Sequence, residues 1–224
     1  MILKKPKISI IVNCYNGQKF LKDALKSIIN QTYKNFEVIF WDNKSTDNSK
    51  KIFLSFKDKR FKYFISKNFT TLYQARNSAI KKAKSEFITF LDTDDLWEKN
   101  KLQLQLKYFE EKRVGLVYTN FLLLKNSNKK VKLFNKMNKK NTKINFFKDR
   151  DIGILTVMIR KKYLNKLKYI FEKKFTHIGD FDLFWRLFKI CKFKYIDLPL
   201  ATYRIHENNL STINRENEIN ELKY

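Results

Sequence analysis

The chain has 224 residues, 43% hydrophobic and 16% aromatic, with only 4 glycines and 2 prolines, which suits one buried core and excludes collagen-like, linker-like and disordered classes. Its 48 Lys and Arg against 22 Asp and Glu give a formal charge of +26, densest around Lys125–Lys143 and Arg160–Lys174. Such a balance suits an anionic membrane surface or anionic substrate, and plain compositional drift toward lysine is the other reading; without a zinc-finger spacing or RNP box, nucleic acid is not an expected partner.

The opening Met1-Ile2-Leu3-Lys4-Lys5 lacks the apolar core of a signal peptide, so none is expected. Ile8–Val12 is β-branched and apolar, the pattern of a strand buried on both faces. The polar turn Asn13-Cys14-Tyr15-Asn16-Gly17 breaks it. Phe20, Leu21, Ala24, Leu25, Ile28 and Ile29 then recur at helical spacing along one stripe. Phe36–Trp41 is a second expected strand, ending at Asp42–Asp47, where Ser45 or Thr46 is positioned to cap the following helix. Phe61–Ile65 is a third strand, Gln74–Lys84 a helix, and Phe87–Leu91 a fourth strand running into Asp92-Thr93-Asp94-Asp95. Leu102–Glu111 reads as a helix and Val114–Leu124 as a strand. No apolar run reaches the roughly 18 residues that span a bilayer. Cys14 and Cys191 lie far apart in sequence and read as small buried hydrophobes of a reducing compartment.

Alternating strands and helices with short connections imply right-handed crossovers and a parallel sheet covered on both faces. Ligands of such sheets bind beyond the carboxyl ends of the strands. The polar clusters at 13–16, 42–47 and 92–95 each fall at such an end, and that convergence directs the functional reading. Three carboxylates within residues 92–95 repel one another unless solvated or neutralised by a cation. A hard divalent ion sharing a diphosphate would satisfy them, and a solvated turn or helix cap is the other reading. Asp42 suits a ribose hydroxyl or base N–H, or a capping turn. Tyr15 suits a stacking platform or the core. Arg76 suits a phosphate or the surface.

The run Ser9–Gly17, then Leu25–Ser27, Asn30–Tyr33, Phe36–Ile39 and Asp42–Asp47, resembles in order and spacing the opening of the family 2 inverting glycosyltransferases. Ala75-Arg76-Asn77 and Leu91–Asp95 match the next two signatures. Gly179–Arg186 resembles the acidic acceptor-side motif, and Tyr203–Glu207 the closing motif. The resemblance implies an α/β GT-A (Rossmann-like) fold, with a mostly parallel central sheet flanked by helices. The implied unit is a single domain over 1–224, with a nucleotide-sugar half at 1–124 and an acceptor and base half at 125–224.

By the same resemblance Asn13, Tyr15 and Asp42 would hold the nucleoside and Arg76 would lie near the nucleoside or diphosphate. Asp92 would contact ribose or metal-bound water. Asp94, helped by His206, would ligate Mn²⁺ or Mg²⁺, and Asp180 would be the general base. His177 suits a wall of the acceptor pocket, and Phe184 and Trp185 suit the core. The chain departs from the usual pattern at four places. Asn13-Cys14 stands for Pro-Thr, Asn43 for a second Asp, and Gly179 for a Glu. Thr70–Tyr73 replaces a glycine before the arginine motif.

The implied function is transfer of a sugar, most readily from a UDP-sugar, to a hydroxyl of a glycan or lipid-linked acceptor in surface polysaccharide or lipooligosaccharide synthesis. The implied setting is cytoplasmic, peripheral on the inner face of the cell membrane. Two other classes fit parts of the sequence. A nucleotidyltransferase would want a Gly-rich phosphate loop where only Gly17 stands, and a non-catalytic basic module would leave the strand-end carboxylates without a role.

Overall fold

A computed structural model describes residues 6–125, 129–134, 152–207, 209 and 221. The strands are β1 Ile8–Cys14, β2 Phe36–Asp42, β3 Phe61–Ile65, β4 Phe87–Phe90, β5 Leu96–Trp97, β6 Val114–Lys125, β7 Lys129–Phe134, β8 Met158–Arg160 and β9 Lys192–Ile205. The helices are α1 Leu21–Ile29, α2 Ser49–Ser55, α3 Leu72–Lys82, α4 Lys101–Lys107, α5 Lys161–Leu164 and α6 Gly179–Phe188. They form a mixed sheet of nine strands in the order β3-β2-β1-β4-β8-β6-β9-β5, with β7 on β6. The first four strands pair in parallel. β8 runs antiparallel to both β4 and β6, and β6 and β9 run parallel. The first half is therefore the expected doubly covered parallel sheet, and the second half extends it beyond β4 with strands of mixed direction.

Side chains alternate across β1. Ile8, Ile10 and Val12 join the core with Leu21, Ala24, Leu25 and Ile28 of α1, while Ile11 joins the opposite core with Ala79 and Ile80 of α3 and Leu183 and Leu187 of α6. A strand that must fill two cores has no polar face, which is why Ile8–Val12 is almost continuously apolar. Phe184 is buried in the second core as expected, and Trp185 is half-buried against Phe188. Cys14 is buried and Cys191 half-buried, both as free thiols. Burial pushes the Cys191 thiol up to about 12. Among the described residues no helix is long and apolar enough to cross a membrane.

Three local expectations differ from the structure. The α2 cap is Asn48, without a side-chain cap bond, because Ser45 is drawn back to the β1 loop and accepts from the Asn16 N–H at 3.0 Å. α3 starts at Leu72, two residues before Gln74, because Thr71 and Gln74 form a reciprocal capping box. This places Arg76 inside the helix and turned into the protein. Asp95 caps no helix: it is buried, leads into β5, and accepts the Arg204 N–H of β9 at 3.0 Å.

Two departures from the family pattern meet in space. A Cβ added at Gly179 would lie 2.5 Å from the Tyr73 ring. The bulk of Tyr73 on α3 is thus accommodated by the missing side chain on α6. Gly179→Ala should destabilise the fold by roughly 1–3 kcal/mol through overpacking, and Tyr73→Leu should recover much of that loss. Urea unfolding of the two single variants and the double variant checks the coupling, and additive effects would contradict it.

Candidate active site

Register brings the first two clusters together, since Asn13 lies beside Trp41 and Cys14 beside Asp42. Asn16 and Lys44 take left-handed backbone angles, φ 51° and 69°, which turn the chain sharply out of both strands. The loops then lock: the Thr46 N–H donates to Asn16 Oδ1 at 2.8 Å, and the Gln18 N–H to Asp47 Oδ2 at 2.9 Å. The third cluster sits against the first at Gly17, where an added Cβ would lie 2.8 Å from Thr93 Oγ1. β4 feeds into it through the Leu91 N–H, which donates to the Ile11 carbonyl at 3.0 Å.

Each carboxylate of the rim has its own partner. Asp42 is buried and accepts the Ser45 N–H at 2.7 Å and the Tyr63 hydroxyl at 2.5 Å. Burial and this bond push the Tyr63 phenol well above its ordinary range. Tyr63, midway along β3, was hidden in the sequence because an aromatic in a strand reads simply as core. Asp92 accepts both of its bonds from Arg76 Nη2, at 3.0 and 2.9 Å. Asp94 Oδ2 lies 2.8 Å from His206 Nε2. Burial and the charge of Asp92 raise the Asp94 carboxyl, with His206 opposing. Burial and the charges of Asp94 and Asp92 push Asp95 well above the usual carboxylate range.

Arg76 spans the site. Its Nη1 donates to Asp180 Oδ1 at 2.8 Å while Nη2 holds Asp92, and its guanidinium lies 5.7 Å from the ring centres of both Tyr73 and Phe171. The arginine is 2% exposed, so its charge faces carboxylates in place of solvent. Burial raises Asp180, Arg76 lowers it and the charge of Asp92 raises it again, and the net displacement is upward. Its side chain keeps 26% exposure, enough to meet a ligand.

Tyr15 is not core. It is 53% exposed and its ring centre lies 4.6 Å from that of Phe69, itself 61% exposed. The loop bearing Phe69 is bolted to the end of β2. The Ser66 N–H donates to the Asp42 carbonyl at 2.8 Å, and the Asn43 amide both donates to the Thr70 carbonyl at 2.7 Å and accepts from the Thr70 hydroxyl at 2.9 Å. An Asp at 43 could not donate, which accounts for the departure there. Among the described residues the buried Asn13 Nδ2 atom has no hydrogen-bond partner. His177 turns its ring toward Thr176 and Glu221, with Nδ1 at 2.7 Å from Thr176 Oγ1 and 3.8 Å from Glu221 Oε1.

Among the described residues no group of three or more His, Cys, Asp or Glu could enclose a metal. The pair Asp94 and His206 still fits a divalent ion of the magnesium or manganese type, which takes few protein donors and completes its shell with phosphate oxygens.

The model of glycosyl transferase family 2 matches residues 9–184, and the chain belongs to that family. It is therefore a glycosyltransferase, and its fold is GT-A. It is 30% identical over 218 residues to WfgD of Escherichia coli, a UDP-Glc:alpha-D-GlcNAc-diphosphoundecaprenol beta-1,3-glucosyltransferase, covering 96% of this chain and 82% of that one. The fold matches S. aureus TarS 1-349 in complex with UDP-GlcNAc, with a TM-score of 0.79 at 21% identity over 92% of this chain and 61% of TarS 1-349. It also matches the mannosyltransferase PcManGT of Pyrobaculum calidifontis in complex with GDP-Man and Mn²⁺, with a TM-score of 0.72 at 14% identity, over 94% of this chain and 60% of that one.

Asn43→Asp should destabilise the protein by about 1–3 kcal/mol, because it sets a carboxylate oxygen against the Thr70 carbonyl. Chemical denaturation measures this; unchanged stability would mean that the amide staple is not what holds the Phe69 loop.

Proposed function

We propose that the chain is an inverting glycosyltransferase that moves a hexosyl or N-acetylhexosaminyl group from a UDP-sugar to a hydroxyl of a glycan or lipid-linked acceptor in surface polysaccharide synthesis. The observation that carries this reading is the Arg76 bridge. One guanidinium ties Asp92, on the strand-end rim, to Asp180, on α6. Asp180 thereby has a fixed place relative to the rim. The UDP-Glc donor and diphosphoundecaprenol-linked acceptor in WfgD's name, and the UDP-GlcNAc bound to TarS, support the substrate classes.

In this reading residues 1–124 bind the donor and 125–224 supply the base and acceptor side. The residues 126–128 and 135–151 of the second half, with much of the lysine-rich stretch, lie outside the described residues. Asn13, Tyr15 and Asp42 hold the nucleoside: Tyr15 presents an exposed ring face, and Asp42 keeps acceptor lone pairs beyond those used by Tyr63 and Ser45. Asp92 is oriented by Arg76 toward the ribose side. Asp94 and His206 hold Mn²⁺ or Mg²⁺, which when bound supplies neutralisation of charge on the departing diphosphate; the Mn²⁺ in PcManGT supports the choice.

Asp180 acts on the acceptor. The acceptor oxygen attacks the anomeric carbon from the face opposite the diphosphate. The carbon–oxygen bond to phosphate breaks with its electron pair going to the diphosphate, and the hydroxyl proton passes to the Asp180 carboxylate. A positioned base of this kind contributes on the order of 10²–10⁴-fold. The upward displacement of Asp180 makes it a stronger proton acceptor than an exposed aspartate, at the cost of requiring higher pH to ionise.

Asp180→Asn should lower kcat by about 10²–10⁴-fold with UDP binding kept, in an assay of donor hydrolysis over UDP-glucose and UDP-GlcNAc. The wild-type kcat should fall on acidification through the raised Asp180 pKa, so the acid limb should lie above the ~3.9 of an unperturbed aspartate. A variant as active as wild type would overturn the base assignment, and a limb at or below that value would overturn the pH account.

The +26 charge supports a peripheral contact with the anionic inner face of the cell membrane, each nearby lysine being worth about 1 kcal/mol. Sedimentation with phosphatidylglycerol vesicles should capture the protein at low salt and release it at high salt. Binding that ignores salt would rule the contact out.

A further inference from the structure

α6 carries Asp180 in its first turn, yet its N-cap is Ile178, whose side chain makes no cap bond. Helix starts leave backbone N–H groups without intrahelical partners, and a carboxylate there is favoured by both hydrogen bonding and the helix dipole. In this chain a carboxylate from far along the sequence takes the N–H of the Ile178 N-cap and those of the two residues before it. Glu221 Oε1 accepts the Thr176 N–H and the Thr176 hydroxyl, both at 2.7 Å, and Oε2 accepts the His177 and Ile178 N–H groups, both at 3.0 Å. Four donors converge on one side chain that is only 15% exposed. Burial alone would raise its carboxyl, but the bonds from Thr176, Ile178 and His177 hold Glu221 below the usual carboxylate range.

Of these three residues His177 is held from α3 as well. The Tyr73 hydroxyl donates to the His177 carbonyl at 2.9 Å, and Tyr73 shares α3 with Arg76, which holds Asp180 itself. The segment 176–178 is therefore clamped between α3 and Glu221, directly before the helix that presents the base. Glu221 itself lies beyond the family match, which ends at residue 184, whereas Tyr73 and 176–178 lie within it.

We propose that Glu221 is a positioning residue for the catalytic base, fixing the 176–178 segment so that Asp180 enters α6 at the place and angle the acceptor hydroxyl requires. The proposal rests on the reading of Asp180 as that base. Misplacing a reacting group by about 1 Å can cost roughly 10²-fold in rate, so loss of a four-bond clamp should register in turnover. It should not register in donor affinity, because Asn13, Tyr15 and Asp42 stand on other elements. A tail-docking role alone predicts the opposite pattern, a lower melting temperature with turnover per folded molecule intact.

The test uses the full chain with Glu221→Ala, Glu221→Gln and Asp180→Asn in parallel. UDP affinity with Mn²⁺ is measured by calorimetry, and kcat for UDP-sugar hydrolysis is normalised to UDP-binding sites. The expected result is a kcat lower by about tenfold or more in Glu221→Ala, with UDP affinity unchanged. Glu221→Gln, which keeps one acceptor oxygen, should fall between it and wild type and serves as the measure if the alanine variant fails to fold. Wild-type kcat in the Glu221 variants beside an inactive Asp180→Asn would overturn the positioning role alone. A kcat that falls only in step with UDP binding would also overturn it. A fully active Asp180→Asn would remove the base reading and this inference with it.

Discussion

A single buried guanidinium organises the site. Arg76 is enclosed by protein on nearly every side, and its charge is tolerable there because two carboxylates, Asp92 and Asp180, meet it at 2.9 and 2.8 Å. Removing either carboxylate would leave a buried charge partly uncompensated, which costs far more than an exposed pair contributes. The bridge thereby fixes the distance between the acidic turn after β4 and the first turn of α6. The rim on one side and Asp180 on the other both depend on that distance.

Around this bridge the acidic turn avoids self-repulsion by giving each aspartate a separate neighbour. Asp92 has Arg76, Asp94 has His206, and Asp95 has the backbone of Arg204. Arg204 also donates from Nε to the Asp94 carbonyl at 2.9 Å, so the end of β9 is tied to the turn at several points. Asp94 remains raised by burial and by its neighbour's charge. A group in that condition gains when a cation arrives, and this is the physical sense in which the turn suits a divalent ion.

Much of this was legible in the sequence because the elements of the first half are local. Continuous apolar runs, a helical stripe on α1, and polar clusters at strand ends placed Asn13, Asp42 and Asp92–Asp95 at one edge of a parallel sheet. What the sequence could not carry was pairing across long separations. Arg76 and Asp180 are linked side chain to side chain only after α3 and α6 pack, and the Gly179 and Tyr73 exchange becomes intelligible only as one contact. Tyr63 and Phe69 were invisible for another reason: an aromatic on a strand or in a loop has the same pattern whether it fills a core or faces a ligand. Glu221 had no local signal at all, since its four donors come from a distant loop.

In the proposed function the ends of β1, β2 and β4, together with α6, surround one nucleotide sugar. A crystal structure with UDP and Mn²⁺, read by manganese anomalous scattering, tests it most directly. The account predicts the anomalous peak at Asp94 and His206, the uracil beside Tyr15 and Asp42, and the diphosphate between them. UDP lodged elsewhere, or manganese away from Asp94, would contradict it.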